Sequence, residues 1–337
     1  MDAWREDLLA NAGRVAARSL DSLERIFSPF VRVAAARYSL LLTFAIITVT
    51  RLAGALDQGN LALDLKIYRA AAKAVLDGRD PWMASVNDIV FAATPPTLLA
   101  YLPSALITED VAIGLYGVVT VAAAVYVIRT LRLPLWWLLF PPIAEGVFLL
   151  NPDVLVIALL VASGSVVQGL SVPLKIYAVV PLVMGGRWRP VVVGGALCLL
   201  SVPLWPLFLS GRERIQDALS TQSFGGLSAW GNWLMVPTII ALAIIWRRGA
   251  EWLAVPALWP FTQLHYNVLG LPVAARSFLV AFTLSLPVSA LPAVATILYT
   301  VQLAVIHLAA PYRAGGRSHP GDLGTRDPRP PPVTGWP

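Results

Sequence analysis

The chain has 337 residues, 57% of them hydrophobic and only 13% charged, with a mean hydropathy of +0.70. A soluble domain carries about 25% charged residues, so this composition argues against an ordinary water-soluble protein and for a polytopic membrane protein. The net charge of +6 is scattered over short basic loops and forms no continuous patch with exposed aromatics, which argues against nucleic-acid binding.

At about 20 residues per span plus loops, the expected fold is an all-α polytopic membrane helix bundle of roughly eight to eleven membrane helices, some short or broken. The apolar runs lack the two-residue alternation of a β-barrel. The 27 prolines and 24 glycines are compatible with membrane helices, where neighbours satisfy freed backbone groups. Cys198 is the single cysteine and lies in an apolar run, so it reads as a buried small hydrophobe, with no disulfide framework. With three histidines and one cysteine, neither a metal centre nor a cofactor is expected.

Residues 1–37 lack the shape of a signal peptide. Leu8, Ala12, Val15, Leu23, Ile26 and Phe30 recur at helical spacing, with Arg14, Arg18, Asp21 and Arg25 between them. That pattern predicts an amphipathic helix on the membrane surface. Arg5, Arg14, Arg18, Arg25, Arg32 and Arg37 precede the first span, expected at 38–56, and place this end in the cytoplasm. The polar segment 57–96 then emerges on the outer face. Within it, 65–76 predicts a short membrane-parallel helix stopped by Asp77-Gly78, and Asp80-Pro81-Trp82 begins an extended piece.

Apolar segments follow at about 95–107, 111–128, 134–150, 154–167, 172–184, 190–209, 232–246, 251–264, 268–286 and 291–310. Several are shorter than a span, as expected of broken helices that line a cavity. Arg187-Trp188-Arg189 and Arg247-Arg248 read as cytoplasmic turns. Arg129 and Arg132 join them only if 95–107 re-enters without crossing. The Pro- and Arg-rich stretch 311–337 is expected to be a disordered cytoplasmic tail.

The ionisable residues inside this apolar frame carry the functional reading. Asp64 stands a few residues past the first span, where a carboxylate can take a proton from a hydroxyl; it equally suits the N-cap of the 65–76 helix. Lys66, Arg69 and Lys73 share one helix face and could hold a lipid phosphate or simply meet anionic headgroups. Lys175 lies within a proline-bounded membrane segment, where a lysine costs on the order of 2.5–3.5 kcal/mol and faces a cavity or a partner unless it snorkels to the interface. Asn151-Pro152-Asp153 is a polar turn between spans, and His265-Tyr266-Asn267 a polar cluster in an apolar run; both also read as plain loop or core.

Asp64-x-x-x-Tyr68, Arg69-Ala70-Ala71-Ala72, Gly78-x-x-Pro81-Trp82 and Thr94-Pro95-Pro96 together resemble the first outer loop of glycosyltransferase family 87. Lys175, Pro181 and Arg187-Trp188-Arg189 resemble that family's membrane lysine, proline and basic-Trp cytoplasmic turn. The run from Trp259 to Tyr266 is similar to its late Pro-x-x-Trp-x-His-His segment. The resemblance touches about residues 40–275 and is strongest over 64–96. It implies a GT-C-type integral membrane enzyme of the plasma membrane that moves a hexose, typically mannose, from a polyprenyl-phosphate sugar donor to a glycolipid or glycan acceptor. It further implies Asp64 as the base, Lys175 with Arg69 or Lys66 on the donor phosphate, and Tyr68, Asn151, Asp153, His265 and Tyr266 around the sugar, with no metal. Two other classes fit parts of the pattern. The broken helices and membrane lysine suit a transporter or flippase of a lipid-linked or anionic solute, and a non-catalytic membrane assembly factor would carry the same segments.

Overall fold

The computed structural model describes residues 34–222 and 226–315, so the surface helix expected over 1–37 lies almost wholly outside the described residues. The chain divides into a large unit, Ile26–Gln302, which holds every site discussed below, and a small one, Met1–Arg25 with Leu303–Pro337. Of the small unit only the end of the last helix, Leu291–Gly315, is described; its helical turns run into the first residues of the expected tail.

The large unit is almost entirely helical, as the apolar runs predict. The one sheet among the described residues is a hairpin of two-residue strands, Ser85–Val86 and Ile89–Val90. Asn87 and Asp88 close it with φ of 51° and 62°, the left-handed pair that such a tight turn needs and that Asn and Asp tolerate.

Among the described residues two helices, Ala35–Asp57 and Glu109–Thr130, are long and apolar enough to cross a membrane. Both are apolar on their outer faces as well as their inner ones. In the first, Ala36, Leu40 and Phe44 are buried, with Phe44 against the rings of Trp136, Trp137 and Phe140, while Tyr38, Leu42, Ile46 and Val49 stay exposed. A helix that is apolar all round belongs in a core or in a bilayer, and nothing in the described chain covers these outer faces.

The other apolar runs break up, so the spans evident by length number two, or up to four if each bent pair is one span. Pro141–Leu149 and Asp153–Val161 meet at 119°, and Trp188–Leu199 and Val202–Ser210 at 59°. The run 95–107 becomes the 11-residue helix Pro95–Ala105, about 16 Å long at 1.5 Å per residue, half the roughly 30 Å hydrocarbon thickness. It is too short to cross such a layer by itself.

The helix expected at 65–76 forms as Leu63–Leu76. Its stop is the predicted one. Gly78, at φ +69°, lets the Gly78 N–H reach the Val75 carbonyl at 3.0 Å and the Arg79 N–H the Ala74 carbonyl at 2.7 Å, which closes the last turn. Its start differs. The residue before the helix is Ala62, no side chain caps it, and Asp64 lies in the first turn. Asp80-Pro81-Trp82 also departs from the extended expectation. Asp80 accepts the Trp82 N–H at 2.9 Å and caps a single 3-10 turn, Pro81–Met83. Tyr68 on this helix joins Trp82, Phe91, Leu98 and Tyr101 in one buried cluster.

Small residues hold the segment that carries Lys175. Helix Trp188–Leu199 passes so close to Ser165–Gly169 and Ser171–Leu174 that a Cβ on Gly194 would lie 2.6 Å from Val172 and 2.9 Å from the Gly169 carbonyl oxygen. Gly194→Val should destabilise the protein by about 1–3 kcal/mol, read as a lower melting temperature in detergent. Gly195→Ala, whose Cβ meets nothing within 4 Å, should leave it unchanged or raise it slightly.

Candidate functional site

Four interruptions in helical structure converge on one cavity of about 350 Å³. The first is the opening turn of helix Leu63–Leu76, which brings Asp64 and, a turn later, Tyr68. The second is the sharp reversal after Leu149, where Leu150 adopts the left-handed conformation (φ 53°, ψ 43°) and turns Asn151 inward. A left-handed non-glycine residue costs roughly 1–2 kcal/mol, so packing must hold it there. The third is Lys175, extended between helix Ser171–Leu174 and the 3-10 turn Ile176–Ala178. The fourth follows Trp259, where Phe261 is left-handed (φ 58°) and the 3-10 segment Leu264–Gly270 presents His265 and Tyr266.

Asp64 and Asn151 form the polar lip. The Asn151 side-chain oxygen accepts the Asp153 N–H at 2.8 Å, so its amide nitrogen must face the other way; there it donates to Asp64 Oδ2 at 2.7 Å. The backbone repeats the tie, with the Ala62 N–H on the Phe148 carbonyl at 2.9 Å. This grip on one oxygen orients the carboxylate and leaves Oδ1 for a ligand. Asp64 is thus no helix cap. Its place in the first turn still sets it at the positive end of the helix dipole.

Lys175 is buried and lines the cavity, which answers the snorkelling alternative. Its ammonium lies 5.7 Å from the Tyr68 ring centre, 5.3 Å from that of Tyr266, and 3.8 Å from Asp153 Oδ1. Asp153 is fully buried beneath the cavity and is not part of its lining. The Tyr177 hydroxyl donates to its Oδ1, and His265 Nε2 faces its Oδ2 at 3.8 Å. Burial pushes the Tyr68 phenol well above its ordinary range, so it remains a neutral hydroxyl over the cavity.

Arg69 and Lys66 do not join this group. Arg69 turns away from the cavity. Its Nε donates to the Ser104 carbonyl at 3.0 Å and its Nη2 to the Ile107 carbonyl, and Glu109 lies 3.7 Å from Nη1. It satisfies the open carbonyls at the end of helix Pro95–Ala105, a structural task. Lys66 is half-buried and outside the lining, and Lys73 is exposed. The shared helix face inferred from their spacing exists, but it is not the face turned to the cavity. Among the lining residues Lys175 is the one permanent cation.

Tyr177, Thr97, Trp259 and Gln263 also belong to the cavity wall. Trp259 and Gln263 lie in the run already singled out before Tyr266, Tyr177 stands two residues past Lys175, and Thr97 left no signal of its own. Thr97 donates to the Leu174 carbonyl at 3.0 Å and so fastens the Lys175 segment to helix Pro95–Ala105. The lining also holds apolar residues, among them Phe91, Phe208, Ile215 and Leu219. A cavity with an oriented carboxylate, a single lysine and an apolar side suits an amphiphilic ligand that carries hydroxyls and one anionic group.

No family model, curated protein or solved structure matches the chain.

The buried pair gives a direct test. Asp153→Ala should destabilise the protein by about 3–5 kcal/mol, since it leaves the Lys175 charge uncompensated. Adding Lys175→Met should recover part of that loss in the same thermal melt. Equal losses in both backgrounds would show that the two charges are not coupled.

Proposed function

We propose that this protein is a membrane glycosyltransferase of the GT-C type, acting on a polyprenyl-phosphate hexose, mannose by preference. The observation that carries this reading is the convergence on one cavity of Asp64, Tyr68, Asn151, Lys175, His265 and Tyr266, residues drawn from segments more than two hundred positions apart. They are six of the nine residues implied by the resemblance to glycosyltransferase family 87; Lys66, Arg69 and Asp153 lie outside the lining.

The chemistry follows from the charges. The acceptor hydroxyl oxygen attacks the anomeric carbon while Asp64 takes its proton at Oδ1. The bond from that carbon to the phosphate oxygen breaks on the opposite face, and its electron pair leaves with the polyprenyl phosphate. The configuration inverts. The leaving phosphate is already a weak base and needs no acid; Lys175 stabilises the charge that gathers on it. Asn151 orients Asp64, and Tyr68 and Tyr266 hold the ammonium between their rings. The donor's hydrocarbon chain lies against the apolar wall of Phe91, Phe208, Ile215 and Leu219.

The topology that fits this reading has the N-terminal end in the cytoplasm of a plasma-membrane protein. Helix Ala35–Asp57 carries the chain out, and 57–105 stays on the outer face. Helix Glu109–Thr130 returns it, so that Arg129 and Arg132 are cytoplasmic. The broken pairs and short helices complete a multi-pass bundle, whose partners are the lipid donor, a glycolipid or glycan acceptor and the surrounding lipids.

Purified protein incubated with labelled polyprenyl-phosphate mannose and a glycolipid acceptor should transfer the sugar, and Asp64→Asn should lower the rate about 10²–10⁴-fold. Transfer by Asp64→Asn at the wild-type rate would remove Asp64 as the base. Uptake of a lipid-linked solute into vesicles that survives Asp64→Asn, without transfer, would favour a transporter.

A further inference from the structure

The transfer chemistry above sets a charge problem for its own site. The donor phosphate is a diester and carries one negative charge. Once the bond to the anomeric carbon has broken with its electron pair, the same phosphate is a monoester. Such a group carries a charge of about −1.5 to −2 at neutral pH. A cation acting alone would hold this product more tightly than the donor, and turnover would stall on release.

Asp153, which the transfer step does not use, opposes that outcome from outside the cavity. It is fully buried and absent from the lining, so it touches no ligand. Its Oδ1 lies 3.8 Å from the Lys175 ammonium, a charge contact too long for a hydrogen bond. Other groups fix it in place. The Tyr177 hydroxyl donates to Oδ1, and the Asp153 N–H donates to the Asn151 side-chain oxygen at 2.8 Å. Oδ2 takes no hydrogen bond among the described residues and faces His265 Nε2 at 3.8 Å. The carboxylate is therefore a fixed charge that stays behind Lys175 when a ligand meets the ammonium. A phosphate touching that ammonium would lie roughly 7 Å from Asp153, where, at an effective dielectric constant of about 20, each further negative charge is disfavoured roughly 50-fold.

We infer that Asp153, acting through the Lys175 site without touching substrate, lowers its affinity for the polyprenyl phosphate product and so speeds product release. This rests on the glycosyl-transfer reading and adds to it the step that ends each turnover. The same carboxylate balances the lysine charge while the cavity is empty, so one buried group serves both the fold and the cycle.

The test measures Kd for farnesyl phosphate and for farnesyl methyl phosphate on the purified protein, at about pH 8, where the first is a dianion like the product and the second a monoanion like the donor. With Asp153 and Asp64 both negative, wild type should bind the two within about tenfold of each other, and Asp153→Asn should favour the dianion by about a further 50-fold. In transfer assays Asp153→Asn should lower kcat and KM together and be inhibited at lower concentrations of farnesyl phosphate. A carboxylate that only supports the fold would weaken both ligands alike. A dianion-to-monoanion ratio unchanged in Asp153→Asn would overturn the inference and leave glycosyl transfer standing. So would a preference of about 100-fold or more for the dianion in wild type, a measurement that decides the matter even if the variant does not fold. No transfer by wild type from polyprenyl-phosphate mannose or any other donor would overturn both.

Discussion

A lysine charge buried in an apolar chain has to be matched, and the arrangement around Lys175 follows from that constraint. Its ammonium faces Asp153 and two tyrosine rings, and each of these partners comes from a different part of the chain. Asp153 sits at the reversal between Pro141–Leu149 and Asp153–Val161, Tyr68 on helix Leu63–Leu76 and Tyr266 on the segment Leu264–Gly270. Removing any one leaves a charge or a ring face unmatched. The cavity is therefore the place where the packing of four segments is decided together.

The same places are those where regular helix stops. Lys175 is extended, Leu150 and Phe261 are left-handed, and Asp64 occupies an uncapped first turn. An uninterrupted helix in an apolar setting uses all its backbone groups internally and offers a ligand only side chains from its flank. A break frees backbone and aims side chains inward along the chain direction, and it is tolerated where protein or a cavity surrounds it. Left-handed Leu150 fits this pattern, since its local cost is offset by the contacts that bring Asn151 onto Asp64.

Much of the site was legible from the residues, and the misses have one cause. A charged or polar residue in an apolar segment is costly wherever it lies, so Lys175 and the Asn151 and His265 clusters stand out without knowledge of the fold, and Asp64 stands out by its place just past the first apolar run. Lys66 and Arg69 were grouped with them by helical spacing. Spacing says which residues share a face, but not which face the neighbours will cover. Helix Pro95–Ala105 ends beside Arg69 with open carbonyls, and the guanidinium turns to them instead of to the cavity. The Asp64 cap reading failed for a related reason. The helix begins two residues earlier than its composition indicates, because the Ala62 N–H is tied to the Phe148 carbonyl from a distant segment.

The amino-acid sequence by itself determined the helical class, the end of helix Leu63–Leu76 at Gly78 and the identity of the charged groups that an apolar chain must accommodate. These depend on composition, on the conformational freedom of glycine and on the cost of isolated charge, all of which are local. Tertiary structure alone decided how the long apolar runs divide into short helices and which pairs bend by 119° and 59°. It also decided that Asp153 lies within 3.8 Å of both Lys175 and His265. Those outcomes depend on which surfaces meet, such as the close approach of Gly194 to Gly169, and apolar periodicity carries no information about partners two hundred residues away.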